Sequence, residues 1–363
     1  MLIHQGKIAA VGNRKQVKIP EGIKQLDCSG LVMTAGFWNC HVHFMEPQWQ
    51  RADSLPASRL NQQLESMLTQ YGFTYAFDLA TLDLSNLLRL RHRIETGEVD
   101  GPTIFTAGVP FTPQGGSPFY IAPLKLPEID NPRQASDYVN KQLAAGADAI
   151  KLWSASPTGR MIIPMKPDVI KAAVVAAHAQ NKPVFAHPSN NDGVLIAIEG
   201  GVDILTHVSP DDRKGWSDET IRRMLMGKMA LIPTLKLYKW DLERLKIPTE
   251  NNSLITTAVQ QLASYANAGG QILFGTDTGF MPDYSPADEY ILMEAAGMTF
   301  PQILTALTTA PAKRFGTANY TGQITTGMDA DLVVLSADPA TDIKSLSSVA
   351  YTIRKGKIIY RHP

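Results

Sequence analysis

The chain has 363 residues, which is enough for a large core and for more than one structural unit. Its 34 Lys and Arg residues balance its 34 Asp and Glu residues, which argues against nucleic-acid binding by phosphate neutralisation and against a membrane-surface protein. No apolar run approaches the ~20 residues of a membrane span, and the N-terminus lacks the pattern of a signal peptide, so we expect a cytoplasmic protein.

The two ends of the chain carry short segments in which apolar residues alternate with polar ones between Gly turns. Residues 1–32 contain GKIAAV, and residues 319–363 contain ADLVVL and GKIIYR. Such alternation is typical of antiparallel strands with one buried face. We therefore predict one small β-sandwich built from residues 1–32 and 319–363, flanking a central domain of residues 33–318.

The central domain alternates short apolar segments with amphipathic ones. Eight segments are predicted strands: GFWNCHVHF, FTYAFDLA, TIFTAGVPF, DAIKLWSA, PVFAH, DILTH, MALIPTL and ILFGTD. The stretches between them, such as KPDVIKAAVVAAHAQN, have apolar residues at helical spacing. This alternation predicts a (β/α)8 TIM-like barrel. A doubly wound open sheet is the alternative, and it explains less well why candidate ligands follow five different strands.

Two histidines, His41 and His43, end the first predicted strand. Strand side chains alternate in direction, so both imidazoles lie on one face. Later predicted strands carry further candidate ligands: Lys151, His187, His207 and Asp277. The C-terminal ends of parallel barrel strands meet at one face, and imidazole and carboxylate groups are ligands that zinc favours. We therefore predict a catalytic metal site at this face.

Four histidines and an aspartate exceed what one tetrahedral ion needs once a water is added. Two ions about 3.5–4 Å apart, sharing a hydroxide nucleophile, are therefore expected. Zn²⁺ is favoured, with Mn²⁺, Fe²⁺ or Co²⁺ as alternatives. An ammonium beside two dications would lose its proton, and a neutral amine can take up CO2 as a bridging carbamate, which is the predicted state of Lys151. Each candidate also has a plainer interpretation: exposed strand histidines at 41 and 43, core histidines at 187 and 207, a helix cap at Asp277 and a substrate-binding cation at Lys151.

The ordered set of motifs resembles the amidohydrolase superfamily. The motifs are GFWNCHVHF, GADAIKLW, VFAHP, DILTHVSP, LFGTD and TGQITTGMDADLVVLSADP. Within the superfamily, they are most similar to the branch of imidazolonepropionase-like hydrolases, metal-dependent carboxypeptidases, Xaa-Pro dipeptidases and phenylurea hydrolases. The resemblance implies that His41, His43 and Asp277 hold the more buried ion. It also implies that His187 and His207 hold the other ion and that a carboxylated Lys151 bridges the two. Asp277 would further carry a proton from the attacking water to the leaving group.

The same resemblance points to Tyr238 as a catalytic residue that contacts the substrate carbonyl oxygen, against the alternative of a packed aromatic. The loop FTPQGGSPFY, after the third predicted strand, is a candidate lid. Related carboxypeptidases often have Gly-Gly-His there, whereas here Gly115 and Gly116 precede Ser117, which puts a peptide substrate in doubt. Three further residues are candidates for the pocket lining: Tyr120, Trp153 and Ser154.

These features predict a binuclear metal-dependent hydrolase that cleaves a C–N bond (amide, peptide, carbamate or urea) in a small-molecule substrate. A lactone, ester or cyclic amide hydrolase of the same superfamily is the alternative, and a non-catalytic scaffold is a second. Arg160 and Arg213 could bind a substrate carboxylate. A homo-oligomer is compatible with the sequence, and a nucleic-acid partner is not expected.

Overall fold

The protein is described by a computed structural model that covers residues 1–13, 15–159 and 161–363, so the substrate-binding candidate Arg160 lies outside the described residues. The strands are β1 (Leu2–His4), β2 (Lys7–Ala10), β3 (Val32–Ala35), β4 (Phe37–Val42), β5 (Phe73–Asp78), β6 (Thr103–Thr106), β7 (Thr112–Pro113), β8 (Glu128–Ile129), β9 (Ile150–Trp153), β10 (Ala155–Pro157), β11 (Ile162–Pro164), β12 (Val184–His187), β13 (Ile204–Thr206), β14 (Ala230–Ile232), β15 (Gln271–Ile272), β16 (Leu332–Leu335), β17 (Val349–Arg354) and β18 (Lys357–Arg361). The helices are α1 (Ala57–Met67), α2 (Leu84–Glu95), α3 (Pro132–Ala144), α4 (Pro167–His178), α5 (Asn191–Gly200), α6 (Asp218–Met226), α7 (Leu235–Arg244), α8 (Ser253–Asn267), α9 (Ala287–Ala295), α10 (Phe300–Leu307) and α11 (Thr309–Arg314). None of these helices is long and apolar enough to cross a membrane.

Eight parallel strands of the described chain coincide with the eight predicted segments. They form two sheets, one of order β4-β5-β6 and one of order β9-β12-β13-β14-β15. Backbone hydrogen bonds join the sheets on both sides. Asp148 donates to the carbonyl of Thr106 at 2.7 Å on one side, and Cys40 donates to that of Phe274 at 2.8 Å on the other. The strand order is the one expected for the predicted (β/α)8 barrel, whose closure into one continuous ladder stays a prediction.

The helices between these strands follow the predicted apolar spacing. In α4, a proline occupies the first turn, where its missing N–H is not needed. One face of this helix is buried: Val169, Ile170, Ala173, Val174 and Ala177. Similar faces on the other helices cover the outside of the parallel strands, so the sheets are buried on both sides as parallel sheets require.

The space enclosed by the strands is filled with side chains rather than open. Trp38 stacks on Tyr75 with ring centroids 4.3 Å apart, and Phe77 contacts Phe185 at 5.0 Å. These rings belong to one buried cluster with Cys40. This packed layer lies at the N-terminal side of the strand ends that carry the candidate ligands, so the ligands are approached from the C-terminal face.

Strand β4 contains an irregularity just before its histidines. Its pairing with β5 shifts register between Asn39 and Val42. A bulge of this kind re-aims the side chains that follow it. Cys40 therefore joins the interior cluster, while the adjacent His41 reaches the candidate site.

The two chain ends meet in antiparallel sheets. Four strands pair in the order β18-β17-β16-β3, and β1 pairs with β2 in a separate hairpin. Ile8 of the hairpin donates to the carbonyl of Met328 at 2.8 Å, and a small apolar core lies between them: Ile8, Ala330, Leu332, Val334 and Ile353. Strand β3, which crosses the predicted boundary between residues 32 and 33, pairs with β16. The sandwich arrangement and the domain division stay predictions.

Candidate metal centre

Three of the predicted ligands converge directly. The Oδ1 atom of Asp277 lies 2.7 Å from Nε2 of His43 and 3.2 Å from Nε2 of His41. Asp277 follows β15, and its backbone N–H donates to the carbonyl of His41 at 2.9 Å. The cross-strand bond therefore fixes the carboxylate over the pair of imidazoles, although His43 and Asp277 are 234 positions apart.

The other three predicted ligands surround this group. The ligand atoms of His41, His207 and Asp277 all lie within 4.8 Å of one another. The ring of His187, at the end of β12, is 4.6 Å from the ring of His207. Lys151 in β9 is 2% exposed, and its Nζ donates to Thr206 Oγ1 at 2.5 Å. The structure thus brings together all six side chains, whose role as ligands stays a prediction.

Burial sets the protonation of these groups. It lowers the pKa values of His41, His187 and His207 well below the usual range, and the nearby charge of Lys151 lowers them further. The imidazoles are therefore neutral at neutral pH and keep a lone pair for a metal. Burial also lowers the pKa of Lys151 to about 7, against the opposing charge of Asp277. A large fraction of this lysine is then the neutral amine, which is the form that reacts with CO2.

One imidazole contacts a hydroxyl through its Nδ1 atom. The hydroxyl of Thr234 lies 2.8 Å from the carbonyl of Pro233 and 2.5 Å from Nδ1 of His207. Both contacts are hydrogen bonds when the hydroxyl donates to the carbonyl and His207 carries its proton on Nδ1. In that tautomer, Nε2 of His207 is free to bind a metal ion.

The donor set fits divalent metal ions. With bonds of about 2.0–2.2 Å, ligand atoms around a tetrahedral ion are roughly 3.4 Å apart, which is close to the separation between His41 and Asp277. The Nδ1 atoms of His41 and His43 are buried and lack a hydrogen-bond partner among the described groups, whereas their Nε2 atoms face the carboxylate. The site therefore offers imidazole nitrogens and a carboxylate oxygen on one centre, as zinc prefers.

Two of the predicted ligands have unusual backbone conformations. His207 has φ 73° and Asp277 has φ 62°, both in the left-handed region that non-glycine residues rarely adopt. Each such residue costs about 1–3 kcal/mol and persists only where surrounding bonds impose it. Gly279 follows at φ 92°, and a Cβ there would lie 1.9 Å from the carbonyl oxygen of His43. The turn after β15 therefore needs a glycine to bring Asp277 against the histidine pair.

An amide that sequence reasoning missed ties the first and last parallel strands together. Nδ2 of Asn39 donates to Thr276 Oγ1 at 2.7 Å. Oδ1 of Asn39 accepts from the backbone of His41 and of Thr276, each at 3.2 Å. Asn39 thus positions the residues that carry His41 and Asp277. The sequence feature that could have identified Asn39 is a polar residue inside an otherwise apolar strand.

Asp78, at the end of β5, was also missed. Its carboxyl group accepts from the backbone of Phe44 at 3.2 Å and from Thr106 Oγ1 at 2.8 Å. Complete burial raises its pKa to about 6, while the charge of His43 acts in the opposite direction. Asp78 therefore holds the chain directly after His43.

Tyr238 lies in α7 beside the site, with its hydroxyl already engaged. It donates to the carbonyl of Val208, the residue after His207, at 2.5 Å. Burial raises its pKa well above the usual range, and nearby carboxylates including Asp211 and Asp277 raise it further. The hydroxyl is therefore protonated at neutral pH, and its predicted catalytic contact stays a prediction.

Aromatic side chains surround the approach to the ligands. Trp153 stacks on His187 at 5.2 Å, and Tyr120 contacts Phe280 edge-on at 5.4 Å. Tyr120 belongs to the predicted lid loop, which leaves β7 and returns to β8. The three other polar residues considered for substrate contact bond elsewhere: Ser117 Oγ accepts from Leu126 N, Ser154 Oγ donates to His187 O, and Arg213 donates to the carbonyls of Pro210 and Asp211.

The chain is similar to a known protein family, to curated proteins and to solved structures. The profile of the Amidohydrolase family matches residues 32–359. Ochratoxinase from Aspergillus niger is 25% identical over 370 residues, covering 90% of this chain and 75% of that protein. Imidazolonepropionase from Thermoplasma acidophilum is 23% identical over 383 residues, covering 99% and 88%. The crystal structure of a Xaa-Pro dipeptidase with bound methionine superposes with a TM-score of 0.79 at 21% identity, covering 94% of this chain and 91% of that one.

Proposed function

The chain belongs to the amidohydrolase family, and from this premise we propose that it is a hydrolase that uses two divalent metal ions to cleave an amide-type C–N bond in a small molecule. One observation carries the proposal. Four imidazoles, a carboxylate and a partly neutral lysine converge at the C-terminal ends of the parallel strands, where barrel enzymes place their chemistry.

We assign the metal ligands by proximity and by the family resemblance. His41, His43 and Asp277 would hold one ion, and His187 and His207 the other. Lys151 would bridge the two as its carbamate, which its lowered pKa favours. Zn²⁺ is the favoured ion, with Mn²⁺, Fe²⁺ or Co²⁺ as alternatives. When bound, the ions would supply a Lewis acid for the substrate carbonyl and an acidified, shared water as the nucleophile.

Asp277 is the residue placed to move the proton. Its carboxylate lies at the centre of the converging side chains, and its left-handed backbone holds it there. It would take the proton of the attacking water and deliver it to the leaving nitrogen. Tyr238 would have to leave the carbonyl of Val208 to donate to the substrate oxygen, and its raised pKa keeps that proton available.

The surroundings of the site favour a substrate with an apolar or aromatic group. Tyr120, Trp153 and Phe280 present rings near the ligands. Ser117, in the position where related carboxypeptidases often have a histidine, is bonded within its own loop. These contacts support a neutral or aromatic amide over a dipeptide. Ochratoxinase and a Xaa-Pro dipeptidase, both similar to this chain, support a hydrolase without deciding between these substrates.

Metal analysis and a substrate panel test the proposal together. The chain should bind about two equivalents of metal and hydrolyse some member of a panel of anilides, dipeptides, carbamates, ureas, esters and lactones. Chelation should abolish the activity, and zinc or manganese should restore it. Asp277→Asn should lower turnover by orders of magnitude while retaining most of the metal. Less than half an equivalent of bound metal, with no activation by added metal, would favour the scaffold alternative.

A further inference from the structure

The start of α7 lacks the usual capping bond. Thr234 is its N-cap residue, and a threonine there normally accepts a hydrogen bond from a backbone N–H of the first turn. Here Thr234 has φ 48° and ψ 47°, and its side chain makes no capping bond. Its hydroxyl instead contacts His207 Nδ1 at 2.5 Å and the carbonyl of Pro233 at 2.8 Å. The residue that would cap the helix is therefore bonded to a candidate metal ligand.

A side chain from another helix caps α7 instead. Glu289, in the first turn of α9, is 0% exposed. Its Oε2 accepts from the backbone N–H of Lys236 at 2.8 Å, while its Oε1 has no hydrogen-bond partner among the described groups. Burial raises its pKa to about 7 while the N–H of Lys236 acts in the opposite direction, and either protonation state offers an acceptor oxygen. The first turn of α7 thus has the acceptor that Thr234 does not provide.

A third contact fixes the same turn against the segment that follows Asp277. Nζ of the fully buried Lys236 donates to the carbonyl of Asp283 at 2.9 Å and to that of Ser285 at 2.6 Å. Hydrogen bonds therefore join residues 277–289 to the start of α7 at two points, one of them through Glu289. A shift of α7 would move Thr234 with it.

We propose that Glu289 is a positioning residue for the metal centre. By capping α7, it allows the Thr234 hydroxyl to hold His207 with its proton on Nδ1 and with Nε2 directed to the ion. This inference rests on the proposed function, because it takes His207 as a metal ligand. A capping role confined to stability would leave metal affinity unchanged, so the two roles are separable.

The test measures metal affinity by competition with a chromogenic chelator, together with metal stoichiometry and thermal unfolding. Glu289→Leu should weaken binding of the zinc ion assigned to His187 and His207 by about 10–100-fold, the range for loss of a group that orients a metal-bound histidine. Thr234→Val should do the same. The double variant should be little worse than either single variant, because both act on His207 through one route.

A matched control separates metal positioning from helix stability. Asp83 caps α2 by accepting from Asn86 N at 3.0 Å, and α2 carries none of the candidate ligands. Asp83→Ala should lower the melting temperature as a lost cap does, with wild-type metal affinity. Glu289→Gln retains an acceptor oxygen and should stay within about threefold of wild type by the same reasoning.

Three outcomes would overturn the proposal. The first is wild-type zinc affinity in folded Glu289→Leu. The second is a loss of zinc affinity in the double variant that equals the sum of the two single losses. The third is a loss of zinc affinity in Asp83→Ala as large as that in Glu289→Leu. If Glu289→Leu does not fold, Glu289→Asp replaces it. Its side chain is one methylene shorter and should fail to reach Lys236 N, so an unchanged zinc affinity in that variant overturns the proposal too. A wild-type chain that binds no metal would instead contradict the proposed function itself.

Discussion

Substitution of Gly279 tests whether the turn after β15 positions Asp277 against His43. An alanine Cβ at this position would lie 1.9 Å from the carbonyl oxygen of His43, where real Cβ atoms keep at least 3.0 Å. The turn or the His43 backbone must therefore move by at least about 1 Å in Gly279→Ala. The left-handed backbone adds about 1–2 kcal/mol of strain, and the overpacking costs about 1–3 kcal/mol, so we expect a loss of roughly 2–5 kcal/mol in unfolding free energy.

Gly297 provides the matched control. It has φ 82°, close to that of Gly279, but a Cβ there meets nothing within 4 Å. Gly297→Ala should lose only about 1–2 kcal/mol of unfolding free energy, the cost of backbone strain, and should keep wild-type metal binding and turnover. Gly279→Ala should also lose metal affinity and about 100-fold in kcat/KM, because a displacement of 1 Å is large for reacting groups.

Urea unfolding, metal titration and steady-state kinetics of the two variants together test these predicted losses of stability, metal affinity and turnover. If Gly279→Ala matches Gly297→Ala in all three measurements, the turn does not position Asp277 against His43, and the reasoning is refuted.

The remaining predictions concern Asp78, Lys151 and Tyr120. Burial raises the pKa of Asp78 to about 6 from a value near 3.8 in the unfolded chain. The folded metal-free chain therefore binds the carboxyl proton of Asp78 more strongly than the unfolded chain does. The unfolding free energy should fall as the pH rises from about 3.8 to about 6. Urea unfolding of Asp78→Asn should show a weaker fall, and an identical pH profile would exclude Asp78. Reconstitution of the apo-chain with zinc should require CO2 or bicarbonate, and Lys151→Met should bind the second ion poorly; metal uptake that is indifferent to CO2 contradicts the carbamate. Tyr120→Ala should raise KM for aromatic amides about tenfold, as expected for loss of a half-buried aromatic contact worth ~1.4 kcal/mol, whereas Phe119→Ala in the same loop, where the residue is 57% exposed, should not. Equal effects of the two variants on KM would remove Tyr120 from the substrate site.

Much of the architecture could be predicted because its signals are local. Each parallel strand is a short apolar run, and several of these runs end in a residue type that binds metals. The order of these motifs predicted the amidohydrolase family, which the family profile confirms. The alternation of strand and helix segments likewise predicted the eight parallel strands of the sheets β4-β5-β6 and β9-β12-β13-β14-β15.

Features that depend on distant partners could not be predicted. The register shift in β4 arises from pairing with β5, and simple alternation along the strand does not show that Cys40 joins the interior cluster beside His41. The capping of α7 joins Lys236 to Glu289, which is 53 positions away. Nothing near Thr234 in the sequence shows that its hydroxyl contacts a histidine 27 positions earlier.

The polar groups that support the site were missed for a related reason. Asn39 lies inside an apolar strand and Asp78 ends one, and a single polar residue at either place is compatible with a structural or a functional role. Only the hydrogen bonds of Asn39 to Thr276, and of Asp78 to Phe44, distinguish the two. The engagement of the Tyr238 hydroxyl by Val208 is equally invisible in the sequence.

A crystal structure of the zinc-loaded chain, with anomalous data collected on both sides of the zinc absorption edge, tests the central claim most directly. We predict two anomalous peaks, one bonded to His41, His43 and Asp277 and one bonded to His187 and His207, with extra density for a carbamate on Lys151 between them. A single peak with an unmodified Lys151 would contradict the binuclear centre, and zinc bound away from these side chains would contradict the site altogether.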